Sequence, residues 1–102
     1  MIDSLYFGGA YPDGMVTREQ WQQFVDRAVT PRFPQGLTVW EAAGQYRTLA
    51  GIIQHEPSWV LQLVHADDGA AEAAIREIRT AYQTQFKQEA VLRVRSKACV
   101  SF

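Results

Sequence analysis

The segment Ile52–Ile78, IIQHEPSWVLQLVHADDGAAEAAIREI, changes its hydrophobic period partway along. As far as Val64 the period is two: Ile53, Trp59, Leu61 and Leu63 fall on one face and Gln54, Glu56, Ser58 and Gln62 on the other, which predicts a strand with one buried side. That strand exceeds the usual five or six residues or so. Proline donates no ladder hydrogen bond, so Pro57 inside it predicts a bulge or an edge position. After Asp67-Asp68-Gly69, which offers helix-capping carboxylates, the period becomes helical. Ala71, Ala74, Ile75, Ile78, Tyr82 and Phe86 form one apolar stripe, and Glu72 and Arg76 are spaced to pair along the helix.

Downstream, Val91–Val100 alternates again. Leu92, Val94, Ala98 and Val100 are expected to point inward and Arg93, Arg95 and Lys97 outward. Upstream, Leu37–Ala42 reads as a strand ending near Gly44, and Leu5-Tyr6-Phe7 as another that leaves through Gly8-Gly9 and a Pro12-Asp13-Gly14 turn. Between them Thr17-Arg18-Glu19-Gln20 is a capping box, with Val16 and Trp21 placed to clasp it. Trp21, Phe24, Val25, Ala28 and Val29 then repeat at helical spacing. Pro31 forces the helix to stop near Thr30, and Pro31-Arg32-Phe33-Pro34 is a stiff connector.

The order is strand, helix, strand, strand, helix, strand. This is the ferredoxin-like β-α-β-β-α-β arrangement, an α+β fold with two helices on one face of a four-stranded antiparallel sheet. The expected strand order is 4-1-3-2. The open face is expected to carry Tyr6, Thr38, Trp40, Glu56, Ser58 and Gln62, together with Arg93, Arg95 and Lys97. With 102 residues and no repeat or linker, a single domain over 1–102 is expected.

Composition narrows the function classes. Hydrophobic residues make up 47% and charged residues 21%, which predicts a folded globular chain. A net charge of −1 offers no global field for nucleic acid, and the open face lacks the paired aromatics of an RNA-binding sheet. No run is long and apolar enough for a membrane span, so neither nucleic acid nor membrane is an expected partner. As written from Met1 the chain reads as cytoplasmic. Cys99 is the single cysteine and the two histidines lack metal-ligand spacing, so no metal site is expected; no nucleotide-binding glycine loop is present, so no cofactor is expected either.

Four residues stand out as candidate ligand contacts. Arg32, preorganised between two prolines, and Arg93, in the cationic stripe, suit a small anionic ligand, while Glu56 and Gln88 supply polar contacts. Arg32 equally suits capping of the first helix's C-terminus, and the stripe equally suits protection of an edge strand. His55-Glu56 is the candidate acid/base pair, although adjacent strand residues point to opposite faces unless Pro57 re-aims one.

Thr30-Pro31-Arg32-Phe33-Pro34-Gln35-Gly36-Leu37-Thr38 resembles a bacterial family known as domain of unknown function 3574. Tyr6-Phe7-Gly8, Trp21, Phe24, Gly44-Gln45-Tyr46-Arg47, Glu56 with Ser58, Tyr82 through Phe86 to Gln88, and Val91-Leu92 extend the resemblance across the chain. The resemblance implies no activity. It implies an arginine where His55 stands, which counts against His55 as an essential catalyst, and relatives with an exported leader, which would make the protein periplasmic if such a leader had been trimmed.

The expected function is therefore a non-enzymatic module that forms a homodimer through its open sheet face and binds a small anionic ligand or a protein partner. The alternative is a cofactor-independent enzyme of the dimeric α+β barrel type, in which Arg32 holds a small organic acid and Glu56 or His55 moves the proton. Capture of a peptide along the terminal strand is a third reading.

Overall fold

The structure, a computed structural model, describes residues 1–102. Strand β1 (Ile2–Gly8) leads into a small hairpin of β2 (Ala10–Tyr11) and β3 (Gly14–Met15), closed by the Pro12-Asp13-Gly14 turn. Helix α1 (Arg18–Phe24) continues as a π-helical stretch, Val25–Val29. β4 (Thr38–Arg47), β5 (Ile53–Val64), α2 (Gly69–Phe86) and β6 (Leu92–Ser96) complete the chain. The sheet order is β4-β5-β1-β6 and every pairing is antiparallel. Setting the two-residue strands aside, this is the expected ferredoxin-like α+β order.

Local chemistry places the helices as expected. Thr17 Oγ1 accepts the Gln20 amide at 3.1 Å while Gln20 Oε1 accepts the Thr17 amide at 2.9 Å. Asp68 Oδ1 accepts the Ala71 amide at 2.8 Å and starts α2. The helices bury an aromatic cluster against the sheet: Trp21 stacks on Trp59 with centroids 5.2 Å apart, and Phe7 meets the Tyr82 ring at 4.8 Å. Beneath them lie Leu5, Leu61, Leu63, Ile75 and Ile78, all fully buried. Such aromatic pairs add roughly 0.5–1.5 kcal/mol each beyond their buried area.

Pro57 causes no bulge. Its pairing with Ala43 is continuous, and its carbonyl accepts the Gly9 amide at 2.8 Å. The missing N–H faces the same side, where β1 has already ended at Gly8, so no ladder bond is lost.

The last strand is the main correction. Register pairs Tyr6 with Leu92 and Leu5 with Arg93, so Leu92 and Val94 lie on the open face while Arg93 and Arg95 lie on the helix side. The expected phase is inverted because of Asp3. Asp3 shares the phase of Leu5 and Phe7 and is fully buried, which makes its carboxylate costly unless cations reach it. Arg93 Nε reaches Asp3 Oδ1 at 2.7 Å, Arg95 Nε at 3.2 Å, and His65 Nε2 lies 2.6 Å from Oδ2. Arg93 also grips Glu72 of α2 through both terminal nitrogens, at 2.9 and 2.6 Å. β6 ends at Ser96, so Lys97, Ala98 and Val100 belong to no strand. Ile53 departs from expectation too: it lies beyond the reach of the helices and is exposed.

Burial pushes the Asp3 carboxyl up, but hydrogen bonds from Arg93 and His65 and the charges of both arginines outweigh it and hold the group below its ordinary 3.8. Glu72, hydrogen-bonded by Arg93, is lowered from 4.5 to about 2. Both groups bind protons more weakly folded than unfolded. The stabilisation from Glu72 is therefore complete above about pH 4.5 and disappears as the pH falls towards 2, and that from Asp3 is likewise lost as the pH falls below its ordinary 3.8. Asp3→Asn leaves two arginines short of their partner and is expected to cost about 3–5 kcal/mol in urea unfolding at pH 7, with much of the acid sensitivity lost. A cost under about 1 kcal/mol would contradict this role.

Candidate functional site

On the open face, β1 ends at Gly8, beside Ser58 of β5. A hollow of about 430 Å³ lies there, floored by Gly8, Ala42, Gly44, Ser58 and Val60 and walled by Tyr6, Tyr46, Leu92 and the Gln88–Ala90 segment. Its polar centre is Glu56. Cross-strand register sets Glu56 opposite Gly44 and Ser58 opposite both Ala42 and Gly8, so the carboxylate and the hydroxyl share one face among small residues.

The glycine at position 8 makes room for the carboxylate. A Cβ at Gly8 would overlap the Glu56 carboxylate, with its Cδ only 2.8 Å away. At Gly44 a Cβ would crowd Ser58 Oγ at 3.2 Å. Glu56 Oε2 accepts the Ala10 amide at 2.6 Å. Burial pushes the Glu56 carboxyl above its ordinary 4.5; the Ala10 amide pulls the other way, as does the Gly9 amide, whose N–H is already engaged by Pro57, and together they do not cancel the shift. The same carboxylate raises its neighbours. Tyr46 is pushed up by burial and by the charges of Glu56 and Glu89, and the buried Tyr82 hydroxyl by burial and Glu56.

The back wall is built from the end of α2. Tyr82 donates its hydroxyl to the Gly8 carbonyl at 2.5 Å, which ties the helix to the point where the floor begins. Lys87 adopts a left-handed conformation, φ 50°, which turns the chain out of the helix. Gln88 then donates its side-chain amide to the Ala10 carbonyl at 2.7 Å and to the Phe86 carbonyl at 3.2 Å. Gln88 thus holds the segment whose amide holds Glu56.

Of the four expected ligand contacts, Glu56 and Gln88 meet and the two arginines do not. Arg93 lies across the sheet in the Asp3 network, largely buried. Arg32 lines a separate open groove beside α2, where its Nη1 donates to the Ala28 carbonyl at 2.8 Å and its Nε to Glu77 at 3.0 Å. This is the capping role at the end of the first helix. His55 is exposed, opposite Gln45, and lies in the opposite phase to Glu56, so the two form no acid/base pair. His65 has both ring nitrogens against oxygens, Asp3 at 2.6 Å and the Ala66 carbonyl at 2.7 Å, so neither is free for a ligand.

No lysine, arginine or histidine lines the hollow; its charged groups are Glu56 and Glu89. Neither Tyr46 nor Glu89 is among the four expected ligand contacts, and Tyr46 stands out in the sequence only within the family-like Gly44-Gln45-Tyr46-Arg47 run. Tyr46 lies on the open face because β4 runs on to Arg47 rather than ending near Gly44.

Among solved structures the fold is similar to a phage SAM lyase in complex with S-methyl-5'-thioadenosine, with TM-score 0.73, 15% identity, and 90% of this chain against 76% of that chain. The phage SAM lyase in its apo state gives TM-score 0.68 at 17% identity, over 90% and 75% of the two chains. The Arabidopsis thaliana protein At3g17210 gives TM-score 0.54 at 13% identity over the full length of both chains. At these identities the likeness is one of fold. The sequence matches none of the curated proteins. Residues 3–102 match a family described as "Protein of unknown function (DUF3574)". No helix is long and apolar enough to cross a membrane.

Gly8→Ala is expected to leave the fold intact, because the Glu56 side chain can swing aside, and to lift the carboxylate off the Ala10 amide. Its titration midpoint, followed by carbon-13 NMR, should then fall from above 4.5 towards that ordinary value as burial is relieved. An unchanged midpoint would show that Gly8 does not seat the carboxylate.

Proposed function

The chain belongs to the DUF3574 family, and we propose that it is a small-molecule-binding module whose site is the Glu56 hollow, working as a homodimer joined through the open sheet face. One observation carries the reading: a half-buried carboxylate, held by a backbone amide among small residues and aromatic walls, with no cation beside it. A lone charge kept in such a place costs stability unless a ligand uses it.

The hollow's charge selects the ligand class. An anion would meet Glu56 and Glu89 with no guanidinium to receive it, so the anionic ligand suggested by Arg32 and Arg93 gives way to an uncharged or cationic one. A molecule with hydroxyl donors for the carboxylate and a flat ring for Tyr6 and Tyr46 fits this chemistry. S-methyl-5'-thioadenosine, the molecule bound by the similarly folded phage SAM lyase, is uncharged and carries a ribose diol and a flat base. It is the appropriate first probe.

A second reading is favoured by the raised Glu56 carboxyl, a property of groups that move protons. In that reading Glu56 acts without His55 on a bound uncharged molecule. It predicts turnover of the bound molecule, with a rate that rises as Glu56 ionises.

Calorimetry with two nucleosides tests the binding proposal. S-methyl-5'-thioadenosine is expected to bind, and adenosine 5'-monophosphate, with the same base and ribose but an anionic phosphate, to bind at least about tenfold more weakly. Equal or tighter binding of the monophosphate would overturn the assignment, as would the absence of any saturable binding of an uncharged nucleoside.

A further inference from the structure

Cross-strand register lays the hollow out as rows along β5. The first row holds Tyr46, the second Glu56, the third Ser58, and the fourth Val60 beside Tyr6, which pairs in turn with Leu92. Rows are two residues apart, so the Glu56 and Val60 rows are separated by about 13 Å along the strand. Glu89 belongs to the first end. It lines a neighbouring hollow together with Tyr46, and the Tyr46 hydroxyl is pushed up by burial and by the charges of Glu56 and Glu89. The hollow therefore runs from an acidic end, through a polar middle, to an end formed by Tyr6, Val60 and Leu92.

The acidic end is uncompensated. Lys87, close to Glu89 in sequence, lines the neighbouring hollow and is held by Asp13 at 2.9 Å, while Arg93 and Arg95 are committed to Asp3 on the other face of the sheet. Two carboxylates in one cavity repel each other, and a positive group brought between them relieves that repulsion. A tyrosine ring beside such a group adds cation–π attraction. The far end offers no charge at all. Val60 is buried in its floor, and Tyr6 and Leu92 are exposed, so a flat ring gains by covering them.

We propose that the ligand of the hollow is an elongated organic monocation bound in one direction. Its positive group lies at Glu89 and Tyr46 in the field of Glu56, its hydroxylated middle at Glu56 and Ser58, and its flat ring on Tyr6, Val60 and Leu92. The inference rests on the reading of the hollow as a small-molecule site and adds the ligand's charge and orientation. Glu89 is then the residue that selects for charge, and Tyr6 the residue that selects for the ring. Glu89 is exposed, so substituting it leaves the fold intact.

Calorimetry at pH 7 with a matched pair of nucleosides tests this, with circular dichroism confirming the fold of each variant. 5'-Amino-5'-deoxyadenosine carries an ammonium group where 5'-deoxyadenosine carries hydrogen. The ammonium compound is expected to bind at least about tenfold more tightly. Glu89→Gln should reduce that ratio to about threefold or less, whereas Tyr6→Ala should weaken both compounds in proportion and leave the ratio in place. No saturable binding of either compound, or of S-methyl-5'-thioadenosine, would overturn the small-molecule reading and this inference with it. If S-methyl-5'-thioadenosine binds and the ammonium compound shows no preference over its neutral partner, the small-molecule reading stands and the cationic ligand falls. A preference unmoved by Glu89→Gln would overturn the placement of the charge at that end.

Discussion

The buried carboxylate of Asp3 decides which face of this sheet is charged. Alternation on the last strand permits two phases, one with leucine and valine inside and one with arginines inside. A carboxylate with no exposure, in register opposite Arg95, settles the choice, because leaving it unpaired costs far more than exposing Leu92 and Val94. Arg93 on β6, His65 just after β5 and Glu72 in the first turn of α2 then close the network. The network ties the edge strand to a helix and also removes two arginines from the open side.

The consequence appears on the other face, where the same inversion leaves an apolar row next to a hollow whose charged groups are Glu56 and Glu89. The binding chemistry proposed for the hollow thus depends on an ion network on the opposite side of the sheet. Small residues complete the design. Gly8 leaves room for the Glu56 carboxylate and Gly44 for Ser58, Tyr82 fastens Gly8 to α2, and Gln88 steadies the segment whose amide holds the carboxylate. Such a carboxylate works against folding, since ionising it in the folded chain is harder than in the unfolded one.

Most of the fold was legible because its signals are local. The capping box at Thr17, the Asp68 cap, the switch from period two to period 3.6 after Val64 and the Pro31 stop each act within a few residues, and they appear as expected. The phase of β6 was not local. It needed the observation that Asp3 alternates with Leu5 and Phe7, a signal present in the first seven residues whose answer stands at Arg93 and Arg95. The length of β4 was missed for a similar reason: Gly44 reads as a stop, but here it makes room for Ser58 in the middle of a strand. Of the site, Glu56, Ser58, Tyr6 and Gln88 were readable from alternation or from the family pattern. Tyr46 stands in the family-like Gly44–Arg47 run, but only the extension of β4 to Arg47 brings it to the hollow, and Glu89 joins only through the left-handed turn at Lys87, which neither composition nor spacing reveals.

If Glu56 is kept for a ligand and not for the fold, stability and binding should move in opposite directions when its charge is removed. Glu56→Gln retains an acceptor for the Ala10 amide and discards the ionisation penalty. Thermal unfolding and S-methyl-5'-thioadenosine binding measured side by side at pH 7 test this directly. A higher melting temperature with affinity lost is the expected result. A lower melting temperature with affinity unchanged would make Glu56 a structural residue and contradict the assignment.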